Sequence, residues 1–197
     1  MSKRPGTNKE NLEETNRIFL DIARKEFCTH GYAGASTSRI VEQSGMARGS
    51  LYYHFGDKNG LFRAVYEQTM EKTLTHIGKI MDTETDPWKA FISGSNAFLD
   101  LCMTDEFRKI VLIESQAAIN FKDRMAILEK TFLGKMRSLM PALLERGYFP
   151  GHTTDTITIF IFGILGEIGR AFDSSKNIKW DRETYGTAYE QSLSKMI

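Results

Sequence analysis

Cysteine and proline are scarce in this sequence, which holds two of the first and four of the second among 197 residues. Cys28 and Cys102 each stand alone among apolar neighbours, without a CxxC pair or a histidine at metal-ligand spacing. That pattern argues against a disulfide-stapled scaffold and a zinc module, and it predicts buried thiols in a reducing compartment. With so little proline, long stretches are free to run as helix. Also missing is an apolar export core: the chain opens "MSKRPGTNKE". The most apolar window, "ITIFIFGILGEIGRAF" (157–172), is too short to span a bilayer and contains Glu167 and Arg170. A cytoplasmic protein with no membrane partner is expected. The four histidines, His30, His54, His76 and His152, are scattered, and no HExxH, GxSxG or phosphate-loop pattern occurs. The sequence therefore predicts no enzyme, no metal and no cofactor.

What is present is ordinary globular material: 41% hydrophobic, 26% charged and 11% aromatic residues, enough to bury a sizeable core. The net charge of +1 hides an asymmetry. Residues 1–63 carry ten Lys/Arg against seven Asp/Glu, a net of +3, which leaves −2 for residues 64–197. A mildly basic amino-terminal part is consistent with a nucleic-acid face and does not establish one.

Periodicity predicts an all-α fold. Residues 1–10, with Lys3, Arg4 and Lys9, read as a flexible basic arm. Ile18, Phe19, Ile22, Ala23 and Phe27 recur at helical spacing and predict a helix over about 11–29 that ends at Gly31. "STS" (36–38) offers hydroxyl caps for a short helix with Ile40 and Val41 inward, stopped by Gly45. A second short helix over 48–54 precedes a longer one over 58–81, with Leu61, Phe62, Val65, Tyr66 and Met70 on one side. After the break "DTETDP", Pro87 opens a further helix, and others are predicted near 87–103, 105–118, 121–147, 153–173 and 181–196. The predicted organisation is an arm (1–10), a three-helix unit (11–57), a connecting helix (58–81) and a larger helical domain (82–197).

Two short helices joined by a glycine turn and braced by a longer one describe a helix-turn-helix, whose second helix enters the DNA major groove. Here that helix begins Arg48-Gly49-Ser50. Arg48 suits guanine O6/N7, Gly49 lets the backbone approach closely, and Ser50 reaches a base edge or a phosphate. Leu51 and Phe55, four apart, face inward, leaving Tyr52, Tyr53 and His54 outward or along the groove walls. With Thr37, Ser38 and Lys58 they are donors suited to phosphate oxygens. Aromatics on a short helix are more often core than contact, but one helix face cannot bury five consecutive large side chains.

The stretch "TSRIVEQSGMARGSLYYHFGDKNGLF" (37–62) resembles the DNA-binding region of the TetR family of bacterial transcriptional regulators, and "RIFLDIARKEFCTHGYAGAST" (17–37) resembles that family's first helix. The resemblance covers about residues 12–66. It implies phosphate contacts from Thr37, Tyr52, Tyr53, His54 and Lys58, and base or near-base contacts from Arg48, Gly49, Ser50 and Ser38. Two departures stand out. Ala47 replaces the family's usual hydroxyl cap, at a cost of roughly 1 kcal/mol, and Val41 replaces an alanine.

Beyond about residue 80 the resemblance implies only architecture: a ligand-binding domain that dimerises through its last two long helices. The apolar circumference of 157–172 fits such an interface, and Gly163, Gly166 and Gly169 offer a stripe for a close partner helix. A pocket is expected among helices 87–170. Its candidates are Trp88, Phe91, Phe98, Phe107 and Phe121, with Asn96, Glu114, Gln116, Asn120 and Glu167 as polar interruptions. Each polar residue also has a structural reading, with Glu114 at a helix's solvent edge and Glu167 paired with Arg170. The expected function is a homodimeric repressor released from a double-stranded DNA operator by a small-molecule effector of unknown identity. A sequence-tolerant or ligand-independent DNA binder is the alternative, and an all-α enzyme a remote third.

Overall fold

The computed structural model describes residues 8–172 and 182–195, and every regular element among them is helical. Helix α1 (Asn8–Gly34) is broken at Gly31, whose φ of 66° and ψ of 174° are outside the helical region. The expected arm thus lies mostly outside the described residues, and its last three positions already belong to α1. Helix α2 (Thr37–Ser44) starts at Ser36, whose hydroxyl accepts the Arg39 N–H, and stops at Gly45 in the left-handed conformation. Helix α3 (Arg48–Phe55) follows, then α4 (Lys58–Met81), capped by Asp57 accepting the Gly60 N–H at 2.7 Å. A Cβ on Gly60 would overlap the Phe55 carbonyl, so α4 can begin this close behind α3 only with glycine there.

These four helices close over Phe19, Phe27, Ile40, Leu51, Leu61, Phe62 and Val65, all fully buried. Phe27 and Phe62 meet edge to face at 4.9 Å, and Phe55 does the same against Phe19 at 6.1 Å. Glu26 ties α1 to α2: its buried carboxylate accepts the Ser36 N–H at 2.9 Å and Arg39 Nε at 2.8 Å. Burial alone would raise its pKa, but the Arg39 and Ser36 hydrogen bonds outweigh burial and hold it below the usual carboxylate value. A carboxyl with a depressed folded pKa contributes stability above its unfolded pKa, about 4.3, and loses it as pH falls through the folded value. Glu26→Gln is therefore expected to cost about 1–2 kcal/mol in urea melts at pH 7, since Arg39 is partly exposed to screening water. The gap to the wild type should shrink in melts below pH 4.

The remaining chain forms a bundle. Helix α5 (Pro87–Cys102) has Pro87 in its first turn and Asp86 as its cap. Helix α6 (Asp105–Phe107), a π-helical segment (Arg108–Glu114) and α7 (Ser115–Ala118) replace the single helix expected over 105–118. Likewise α8 (Phe121–Leu128) passes through a π-helical segment (Glu129–Leu133) into α9 (Gly134–Glu145). Gly134 lies so close to the Glu129 carbonyl that a Cβ would collide with it. Helices α10 (Thr154–Ala171) and α11 (Arg182–Ser194) complete the bundle. Helix α11 is pinned to α5 by Tyr189 with Ser95 (3.1 Å) and by Arg182 with Asp100 (2.7 Å). Both cysteines are free, and burial pushes the Cys102 thiol up to about 12, which keeps it unreactive.

The two domains meet through more than α4. Segment 105–118 also grips α1 and the start of α4. Lys109 Nζ donates to the Cys28 carbonyl at 2.9 Å, Arg24 lies 3.3 Å from Glu106, and Asn59 donates to the Ala118 carbonyl.

Candidate nucleic-acid interface and interior cavity

Helix α3 exposes what the sequence pattern leads one to expect. Leu51 is fully buried and Phe55 half-buried against Phe19, whereas Tyr53 is 81% exposed. Arg48, Gly49 and Tyr52 are exposed, and Ser50 and His54 are half-buried, with His54 edge to face on Tyr53 at 5.3 Å. Thr37 and Ser38 open α2 beside them. Arg48 folds back over its own helix, its guanidinium 5.6 Å from the Tyr52 ring centre and 3.3 Å from the phenol oxygen. That hydrogen bond, with a smaller one from Thr37, lowers the Tyr52 pKa. Lys58 donates to the Ala33 carbonyl at 3.1 Å and sits 4.9 Å over the Tyr32 ring, which leaves two of its three N–H donors open. Ala47 makes no side-chain cap, in line with the expected departure.

A cavity of about 340 Å³ lies in the bundle between α4, α5, 108–118, α8 and α10. Of the residues singled out from sequence, Phe98, Gln116, Phe121 and Glu167 line it. The others are placed elsewhere, for definite reasons. Trp88 stacks flat on Tyr148 at 4.6 Å and Phe91 packs edge to face on Phe149 at 6.3 Å. Phe107 lies behind Phe98 at 5.6 Å. Asn96 accepts from Arg182 at 3.2 Å, and Asn120 caps α8 by accepting the Asp123 N–H. Glu114 turns away from the cavity: its carboxylate accepts the Tyr32 N–H at 2.8 Å, against the kink at Gly31. Glu167 pairs with Arg170.

The glycine stripe divides between two surroundings. Gly163 and Gly166 line the cavity, and a Cβ on Gly169 would strike Cys102 and Leu112 of the same chain. At 3.6 residues per turn, Gly169 lies on the opposite side of α10 from Phe160. The outward apolar stripe is Phe160, Ile164 and Ile168, beside Tyr185 and Ala188 of α11, with Ile159 and Phe160 each half exposed.

Sequence reasoning passed over Arg124, which lines the cavity from α8. Its signal was present, because Phe121, Arg124, Met125 and Leu128 follow the spacing of one helix face and place a charge in an apolar stripe.

An exposed helix-turn-helix fastened to a cavity-bearing helical bundle defines the class of DNA-binding regulators. Comparison with known proteins agrees. Residues 19–65 match the family described as bacterial regulatory proteins, tetR family, and residues 88–196 match the tetracyclin repressor-like C-terminal domain. The transcriptional repressor AcnR of Corynebacterium glutamicum is 30% identical over 133 residues, covering 62% of this chain and 69% of AcnR. A TetR-family regulator from Pectobacterium atrosepticum superposes with a TM-score of 0.75 at 28% identity, over 98% of this chain and 96% of its own. FadR of Bacillus subtilis, solved with stearoyl-CoA, shares the fold at 18% identity with a TM-score of 0.77, over 92% of this chain and 98% of its own. The chain belongs to the TetR family and is a DNA-binding transcriptional regulator. Among the described residues no helix is long and apolar enough to cross a membrane.

Proposed function

We propose that the protein is a homodimeric repressor that leaves its operator when a small molecule occupies the bundle cavity. The observation that carries this reading is the double role of segment 105–118. Val111, Leu112, Ser115 and Gln116 line the cavity, while Lys109, Glu114 and Ala118 hold α1 and α4 of the reading domain. A ligand that displaces this wall would move the hinge at Gly31 as well as α4. It shifts operator affinity only by its differential affinity for the two arrangements, typically about 1–3 kcal/mol. In this reading Arg48, Gly49 and Ser50 face base edges, with Ser38 close by. Thr37, Tyr52, Tyr53, His54 and Lys58 grip phosphates. The stripe at Phe160, Ile164 and Ile168 pairs with its copy across a twofold axis, which sets two α3 helices about 34–36 Å apart or one wider multiple.

Operator titrations test the DNA half of the proposal. Arg48→Ala should cost about 1–3 kcal/mol and relax preference at one base position, whereas Lys58→Ala should weaken all sequences alike and lower the salt slope by about 1. An Arg48→Ala protein with unchanged affinity and preference would remove base reading from α3.

A further inference from the structure

The chemistry of the cavity wall narrows what can occupy it. Arg124 is half-buried there, and among the described residues no carboxylate pairs with it. Its guanidinium makes one long hydrogen bond, 3.5 Å to the Ser115 carbonyl, and lies 6.0 Å over the Phe121 ring at the rim. The neighbouring carboxylate, Asp123, is turned to Arg63 at 3.4 Å and accepts from Asn120 at 2.8 Å. The two remaining charges on the wall, Glu167 and Arg170, pair with each other. The lining therefore carries a net charge of +1, concentrated at Arg124. A half-buried cation without a counter-ion is costly, and a planar guanidinium matches a carboxylate bidentately.

A second donor stands near it. Tyr66 is 1% exposed on the cavity wall, and its hydroxyl makes no hydrogen bond among the described residues. Burial raises this phenol to about 12, with the charge of Arg124 opposing the rise, so it stays protonated and able to donate. The other polar side chains on the wall already spend donors on their own helix, which leaves Arg124 and Tyr66 as the donors open to a ligand. Ser115 donates to the Val111 carbonyl at 2.6 Å and Gln116 to the Leu112 carbonyl at 2.9 Å. The rest of the wall is apolar, dominated by Phe98, Phe132 and Phe162. The volume, about 340 Å³, lies at the low end of the roughly 300–1,000 Å³ of small-molecule sites.

We propose that the effector is a monoanionic carboxylic acid with a compact apolar body, its carboxylate held by Arg124 and the Tyr66 hydroxyl and its body among the phenylalanines. This rests on the effector-responsive reading above and adds the chemical class to it.

The test uses the full-length protein and a matched panel. Straight-chain carboxylates of six to twelve carbons and 3-phenylpropionate are each set beside the primary amide, alcohol and ammonium compound of the same skeleton. Acids should raise the melting temperature and release operator at concentrations where their partners do neither. Arg124→Gln should weaken acid binding by roughly 10–100-fold, the worth of a charge-assisted hydrogen bond. The variant's own melting temperature should hold, because among the described residues Arg124 has only a long hydrogen bond and a distant ring contact to lose. Equal binding of acids and amides, preference for the ammonium compounds, or unchanged acid affinity in Arg124→Gln overturns the assignment. A neutral or cationic compound that releases the operator would do so while leaving effector control standing. A panel in which no acid binds also overturns it. Effector control is then judged separately by Gly163→Phe, whose ring would fill the cavity: unchanged operator affinity in that variant counts against effector control itself.

Discussion

Phe160→Glu is expected to turn the protein into folded monomers and to lower operator affinity by roughly a hundredfold or more. Phe160 is half exposed, with Ile164 and Ile168 continuing its stripe along α10 toward the face of α11. In the proposed twofold pairing each protomer would bury this phenylalanine against its copy. A glutamate there would place two like charges in an apolar contact, with no partner for either. The loss on DNA follows from geometry: two linked reading heads gain about 10²–10⁴ in avidity over one, and monomers forfeit that gain. Sedimentation analysis should show the halved mass, and an unchanged far-UV spectrum should show that the fold survives. A variant that remains dimeric would place the interface elsewhere.

Glu114→Ala is expected to leave cavity and operator each competent while abolishing most of their communication. The carboxylate holds the Tyr32 N–H at 2.8 Å beside the break in α1, one residue before Ser115 on the cavity wall. Without it the sensor wall loses its direct grip on the reading domain at the hinge. The ligand-induced loss of operator affinity should then fall from a coupling of about 1–3 kcal/mol toward zero. Ligand affinity measured without DNA should change by only a few-fold. Deleting the acceptor also strands a backbone N–H, so the variant should be about 1–3 kcal/mol less stable. Glu114→Gln, which keeps an acceptor oxygen, should recover both stability and coupling. Full coupling in Glu114→Ala would assign transmission to the remaining ties, Lys109 to the Cys28 carbonyl, Glu106 to Arg24, and α4.

Much of the reading domain was legible because its determinants are local. Ser36 and Gly45 there, like Pro87 at the start of the bundle, mark helix ends within a few residues of where they fall, since caps and left-handed turns are satisfied by neighbours in the chain. The split of α3 between buried Leu51 and exposed Tyr53 followed from the limited width of one helix face. The bundle was less legible. Asn96, Glu114 and Asn120 look alike as polar breaks in apolar runs, yet one is taken by Arg182 from α11, one by the backbone of α1 and one by its own helix end. The π-helical segments gave no periodic signal, and so they were read as continuous helix.

By itself the sequence determined an all-α chain, the helix ends around α2 and α3, the candidate reading helix and the family, because each depends on contacts within a few residues or on spacing along one helix. Only the tertiary structure decided that Gly169 packs against Cys102, that Glu114 reaches the kink in α1, and that Arg124 meets no carboxylate among the described residues. Those outcomes depend on partners more than twenty residues away, or on the lack of one. Whether a buried polar group is satisfied is set by what the fold brings next to it.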